Sequence, residues 1–286
     1  MLITKTTRVI YRNEIGGEIE FSPFSSYFLE TFEEELKNSI TTNKTNLIHG
    51  ENFISNTLES RYISIAGIID KNATTKALIR NLIRVVNPTL KGKLIYQNEN
   101  ETKEIEVIPE EIPDPQANGG LIRYEISLVA NNPFWKNTEN VENIALWTPK
   151  LNFPLIIPKR KGFVFGLKKS AFEKLIENEG DVESGFRVVF KARSGTVKNP
   201  KLSNKLTGEF IRLNYSMEKG DSIEVISYPE KKKVTVNTII NGFRFLDIES
   251  TFYSLDVGRN VLQYDADVNK TNLDVILYYT PRFLGV

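Results

Sequence analysis

This sequence predicts a mainly β protein, with an N-terminal β-rich domain carrying one packed helix and a C-terminal antiparallel β-sandwich. Three observations carry that prediction. Apolar residues recur at every second position through many short segments. Turn residues separate those segments at short, regular intervals. One run alone places its apolar residues at convincing helical spacing.

Along the chain, Tyr27–Ile40 is open between two readings. Phe28, Phe32, Leu36 and Ile40 recur at i+4, yet the run equally fits a strand that passes into a loop. The helix is expected in "TTKALIRNLIRVVNP", where Leu78, Ile79, Leu82, Ile83 and Val86 share a face that lies on a sheet. Thr74 or Thr75 supplies its N-cap, and Pro88 ends it. "KEIEV" turns Ile105 and Val107 inward and Glu104 and Glu106 outward. Pro109–Gly120 holds three prolines and two glycines and reads as an exposed loop. "RYEISLVA" alternates cleanly, with Tyr124, Ile126, Leu128 and Ala130 on one face. "NNPFWKN" follows it: Pro133 stops the ladder, and Phe134 and Trp135 are either a ligand platform or a packing joint. The polar run Lys136–Lys150 lacks alternation until Ile144 and reads as a linker, dividing the chain into domains at 1–140 and 141–286.

The second half reads as strands throughout. "FRVVFKA" and "LDVILYY" are apolar on both faces, as interior strands of a sandwich are. "EFIRLNYSM" sets Ile211, Leu213, Tyr215 and Met217 against Arg212, Asn214 and Ser216. The "EKGD" turn leads to "SIEVISY", and "YPEKKK" joins that run to "VTVNTI". In "ENEGDVESGF" the glycines suit a tight turn through positive φ, with Asp181 bonding the backbone two residues on.

Composition excludes several chemistries. The 286 residues include no cysteine, which removes disulfides, Cys-based metal sites and thiol nucleophiles. The single histidine, His49, sits in a His-Gly turn setting and cannot form a multi-histidine metal site. The net charge of +1 favours neither nucleic acid nor an acidic membrane. Basic clusters at Lys159–Lys161 and Lys231–Lys233 read as soluble hairpin tips. No signal peptide and no membrane-spanning stretch is visible, so synthesis in the cytoplasm is expected. "DADVNKTNLDVI" begins like a calcium loop but has Lys270 where glycine is needed and Ile276 where glutamate is needed. The carboxylate pairs Glu33/Glu35, Glu110/Glu111 and Asp181/Glu183 have no spacing that marks a glycosidase. No phosphate-cradling glycine motif occurs. No catalytic, metal, cofactor or ligand residue is therefore nominated.

Taken in order, the residues resemble the phage distal tail protein family, the Dit-type hub of siphophage tails and related particles. In the N-terminal half the resemblance rests on Arg61 in "RYISIAG", the helix, "NPTLKGKLIY" and "NNPFWK". In the C-terminal half it rests on "LWTPKLNFPLIIP", "NEGDVESG", "KNPKLSNKLTGEFIRLNYSMEKGDSIEV" and "LDIESTFYSLDVGRNVLQYDA". The resemblance implies an N-terminal belt domain that closes into a homo-hexameric ring and a galectin-like second domain. It implies a structural, non-enzymatic virion component at the tail tip. Its partners would be the tail tube protein, the tail-associated tail-tip protein and receptor-binding or fibre proteins. The ring would leave a central channel for DNA, without specific nucleic-acid or membrane binding. A carbohydrate-binding module in the second domain is the alternative, and a wall hydrolase rests on carboxylate abundance alone. In this frame Phe134 and Trp135 become a seal on the first domain.

Overall fold

The computed structural model describes residues 4–44, 49–71, 74–99, 101–145 and 172–286, with the backbone of 147–149 and 166–168. The chain forms two compact units, Met1–Asn137 with Phe283–Val286, and Thr138–Arg282. The lead-in Leu146–Pro158 and the cluster Lys159–Lys161 lie outside the described residues, apart from the backbone of 147–149.

In the first unit, β1 (Arg8–Asn13), β2 (Glu18–Ser22) and β3 (Tyr27–Glu35) lead into an arm formed by β4 (Asn38–Asn43) and β5 (Asn52–Leu58). Then follow β6 (Arg61–Ile69), α1 (Thr75–Val85), β7 (Gly92–Gln97), β8 (Thr102–Pro109), β9 (Gln116–Asn118), β10 (Leu121–Ala130) and β11 (Trp135–Lys136). The order β8-β7-β1-β2-β3-β6-β10 closes on itself because β10 also pairs with β8. The result is a seven-stranded barrel, antiparallel except for the β2–β3 pair. Closure removes the open edges that a flat sheet would expose. In β10 the expected alternation holds: Tyr124, Ile126, Leu128 and Ala130 are buried.

The ambiguous Tyr27–Ile40 run is strand except for the connection at Leu36 and Lys37. A bulge between Leu29 and Thr31 shifts the phase, so Leu29 and then Phe32 face the core while Phe28 is exposed. The i+4 recurrence therefore marks no shared face: the bulge separates Phe28 from Phe32, and Ile40 is exposed. Helix α1 buries Leu82 and Val85 in the barrel core, with Leu78 and Ile79 packed against it. Each fully buried side chain of this kind contributes roughly 1.5–3 kcal/mol. Thr74 stands at the N-cap without a side-chain capping bond, and Thr75 Oγ1 instead donates to Asp70 O at 3.2 Å. Near the other end, Asn13 Nδ2 donates to Val85 O at 3.1 Å, satisfying a carbonyl of the last turn. The Pro109–Gly120 loop includes β9, a short exposed edge strand on β10.

In the second unit, β12 (Asn140–Asn143), β13 (Trp147–Pro149), β14 (Gly166–Lys168), β15 (Glu173–Asn178), β16 (Phe186–Ala192) and β17 (Val197–Asn204) come first. Next are β18 (Phe210–Arg212), β19 (Ser216–Met217), β20 (Ser222–Tyr228), β21 (Lys231–Val236) and β22 (Ile240–Asn241). The strands β23 (Gly258–Val268) and β24 (Leu273–Tyr279) complete this unit, and the last strand, β25 (Arg282–Phe283), lies next to β11 in the first sheet. Two antiparallel sheets, β12-β24-β16-β20-β21-β22 and β15-β23-β17-β18 with β19 on β17, enclose one core. The central strands β16 and β24 bury Phe186, Val188, Phe190, Leu273, Val275 and Leu277. Their other face is half-buried, and there Arg187 lies 3.7 Å from the Tyr278 ring centroid.

Two expectations are corrected here. The polar "linker" contains β12, whose residues Asn140–Asn143 pair with Ile276–Tyr279. As a sheet edge it needs little apolar alternation, which hid it. The run Phe210–Met217 is not one strand: at the break, Leu213 bridges to Leu246 and Asn214 N–H donates to Phe245 O at 2.7 Å. Asn199, beside Pro200 in β17, adopts φ 54°, while the register of β17 with β23 runs without a shift from Lys198↔Val268 to Asn204↔Leu262.

Gly67 sits where a Cβ would meet Phe28 O at 1.9 Å and Tyr124 Oη at 2.6 Å. Gly67→Ala is expected to destabilise the first unit by about 2–3 kcal/mol, checked by urea unfolding of that unit's transition.

Candidate functional site

The most highly organised polar site in the first unit is built around Arg61. In β6, Arg61 has the same strand parity as Ile63, Ile65 and Ile69, so its side chain points inward with them and is 2% exposed. Its guanidinium is used in three directions. Nε donates to Pro133 O at 2.7 Å, and Nη2 donates to Leu284 O at 2.6 Å. Nη1 forms an ion pair with Glu34 of β3. Trp135, fully buried, donates its indole N–H to the same Glu34 oxygen at 3.3 Å. Beside this cluster, Lys103 donates to Gly285 O at 3.1 Å and stands 4.4 Å from the Phe283 ring centroid.

One cation and one carboxylate therefore fasten two chain segments to the barrel: Pro133–Trp135, which follows β10, and Phe283–Val286, which returns from the second unit. A rigid guanidinium fork is suited to this because it donates in several fixed directions without losing charge. Burial pushes the Glu34 carboxyl above the usual carboxylate range, opposed by the charge of Arg61, the Trp135 and Arg61 hydrogen bonds, and Lys103. Burial likewise lowers Arg61, opposed by Glu34. Glu34 Oε1 is buried and finds no hydrogen-bond partner among the described residues.

The aromatic pair of "NNPFWKN" is thus a joint: Trp135 fills the core and Phe134 is half-buried. The parity of Arg61 was a signal in the sequence, a cation on an apolar face. Glu34 gave none, because the bulge in β3 changed its face.

The second unit has a neutral counterpart made of asparagines. Asn260, fully buried, donates to Asp256 O at 2.8 Å and Gly258 O at 3.1 Å, and its Oδ1 accepts from Asp256 N at 3.0 Å and Asn204 Nδ2 at 3.2 Å. Asn178 donates to Val182 O and Leu255 O and accepts from Gly180 N–H at 3.1 Å. It is therefore Asn178 Oδ1 that accepts from the backbone two residues on within "NEGDVESG". Gly180 and Gly185 do not adopt positive φ; a Cβ on them would strike Arg282 O at 2.6 Å and Tyr228 Cα at 2.7 Å. Their requirement is close approach of backbones.

The other sequence candidates are engaged locally. His49 is exposed beside Gly50, whose φ is 92°. Glu33, Glu35, Glu110, Glu111, Asp181 and Glu183 are all exposed. Asp267 of the calcium-like run accepts from Arg212 and Asn199 at 2.8 Å each, and Asn269 Nδ2 donates to Thr196 O at 2.9 Å. A groove of about 290 Å³ in the first unit is lined by Arg12, Asn13, Glu14, Lys91, Lys93 and Glu106. There Arg12 pairs with Glu18 at 2.5 Å and Lys93 with Glu104 at 2.9 Å. Among the described residues, no group of three or more His, Asp or Glu is placed to hold a metal ion.

The arm β4–β5 differs from everything else in this unit. Its residues are exposed except Leu58, which is half-buried, and no charged residue occurs in either strand. Ile40, Phe53 and Ile54 are 58%, 64% and 59% exposed. A two-stranded ribbon with open, uncharged edges is marginal alone and suited to pairing.

The first unit is thus a barrel with a packed helix and the second an antiparallel sandwich, and the buried polar clusters of both fasten chain segments. Residues 19–130 match the phage tail protein RIFT-related domain, and residues 179–283 match the siphovirus-type tail component, C-terminal domain. The chain belongs to the siphophage distal tail protein family. Its fold is similar to the crystal structure of the SPP1 Dit protein (gp 19.1), described as a paradigm of the hub adsorption apparatus in phages infecting Gram-positive hosts. The TM-score is 0.68 at 11% identity, covering 96% of this chain and 99% of that one. A chain of the phage P2 baseplate in its activated, calcium-containing conformation aligns at a TM-score of 0.46 and 11% identity, over 98% of this chain and 99% of that one. No curated protein matches the chain.

Arg61→Met should cost about 3–5 kcal/mol, because it strands Glu34 as a buried, unpaired carboxylate. Because the folded carboxyl is raised, its stabilising contribution is complete below the ordinary carboxylate range and is lost as pH rises through the raised value. Glu34→Gln should therefore flatten that decline, checked by urea unfolding across a pH series.

Proposed function

We propose that this protein is the structural hub of a phage tail tip or baseplate. Copies of the first unit close into a homo-hexameric ring with a central channel for DNA. The ring joins the tail tube protein on one side to the tail-associated, tail-tip protein on the other. The second unit, a galectin-like sandwich, offers a surface to receptor-binding or fibre proteins. The protein acts without catalysis and is located at the virion tail tip.

The observation that carries this reading is the exposed, uncharged β4–β5 arm on a barrel matched to a tail-protein domain. A second copy is the occupant that its exposed apolar residues fit. Apolar residues exposed on one short ribbon lose their hydration cost when they pack on a neighbour, about 25 cal/mol per Å² buried. Negative-stain imaging and native mass spectrometry, with the chain alone and with neighbouring tail proteins, should show six-fold rings. The double variant Ile40→Asp, Phe53→Asp should remain folded and stay monomeric. A wild-type chain that is monomeric both alone and within its particle would overturn the proposal.

A second reading has one specific observation behind it. In the second unit Phe243, 43% exposed, stands 5.9 Å from Phe252, with Lys232 Nζ 5.8 Å from the Phe252 centroid. Such a pair could stack on a sugar face. Calorimetric titration of the full chain with host-wall glycans tests it, and absence of binding at millimolar glycan would remove it.

A further inference from the structure

The sequence contains two Asn-Gly pairs, Asn118-Gly119 and Asn241-Gly242, and the fold treats them in opposite ways. In the second pair both reactive groups are held. Gly242 N–H donates to Val234 O at 2.9 Å, and Asn241 Oδ1 accepts from Phe243 N–H at 3.1 Å. A Cβ on Gly242 would lie 2.6 Å from Val234 Cγ1, so this turn is packed against β21.

The first pair stands in the open. Asn118 ends β9, a three-residue edge strand whose residues are all exposed. Gly119 and Gly120, at φ 59° and 84°, make the two-residue turn back to Leu121. Among the described residues, no acceptor meets Gly119 N–H and no partner holds the Asn118 side-chain amide. Lys71 Nζ donates to Gly120 O at 3.1 Å, so an ammonium already sits on this turn.

We propose that Asn118 is a site of spontaneous, water-dependent deamidation, and that Asn241 is protected from it by the fold. The Gly119 backbone nitrogen attacks the Asn118 Cγ, forming a C–N bond and losing its proton. The Cγ–amide bond breaks and the side-chain nitrogen leaves as ammonia, giving a cyclic imide. Water then opens either imide carbonyl, producing aspartate or isoaspartate, with no change of oxidation state. Glycine at the following position places no side chain in the path of attack. The extended backbone at Asn118 must rotate for ring closure, and an exposed three-residue edge strand opens at low free energy. The product places a carboxylate on the turn that Lys71 already contacts. Isoaspartate also adds a backbone methylene beside the Asn118–Leu121 pair, weakening β9 at the sheet edge.

The two hydrogen bonds at Asn241-Gly242 must open before the same reaction begins. Opening both delays it roughly thirtyfold relative to Asn118. The test is peptide mapping by mass spectrometry of the full-length folded protein during mildly alkaline incubation, with isoaspartate quantified enzymatically. A sample incubated in denaturant is the control. The expected result is accumulation of aspartate and isoaspartate at Asn118 with Asn241 retained in the folded protein, and reaction at both sites in denaturant. Equal rates at the two sites in the folded protein would overturn the proposal. So would an inert Asn118 in the folded protein while the denatured chain reacts.

Discussion

A guanidinium removed from water must find several acceptors at once, and around Arg61 the first unit supplies them. Desolvating a cation and a carboxylate is expensive, and the pair recovers that cost only when the remaining hydrogen bonds are made. Here the remaining bonds come from main-chain carbonyls of segments far apart in sequence, Pro133 and Leu284. The electrostatic requirement of one side chain therefore fixes where two chain segments run. Trp135 completes the arrangement by excluding water and donating to Glu34. Its size makes it a core residue, and its indole N–H makes it part of the polar cluster.

The second unit solves a similar problem without charge. Its irregular connections carry backbone groups that no strand satisfies, and buried asparagine amides meet them. Asn260 and Asn178 each serve several backbone groups, so removing either would leave buried polar atoms unmatched. This gives physical meaning to the polar residues in "NEGDVESG" and "SLDVGRN". They organise turns inside a sandwich at the ends of β15, β17 and β23.

The parts legible in the sequence were those where one residue's environment follows from its neighbours. β10 and β8 alternate without interruption, and α1 shows its buried face at helical spacing. The aromatic joint after Pro133 was also legible, since a turn that ends a ladder places large rings against the strand it leaves. Interruption defeated the same reasoning. The bulge at Leu29/Thr31 reversed the faces of β3, and the edge strand β12 had too little apolar content to show a period. Thr74 lay where a cap was expected but makes no such bond. Gly180 and Gly185 were read as turn formers, although their constraint is the backbone packed against them.

By itself, the sequence determined the fold class, the single helix, the absence of thiol and multi-histidine chemistry, and the order of motifs that marks the family. These follow from composition and from local period, which act over a few residues. Only the tertiary structure decided that the first sheet closes into a barrel and that Arg61 meets Glu34, Pro133 and Leu284. It alone separated the exposed Asn118-Gly119 turn from the hydrogen-bonded Asn241-Gly242 turn. The reason is the same in each case. Closure, burial of a charge and access to a backbone nitrogen depend on partners distant along the chain, which no local pattern specifies.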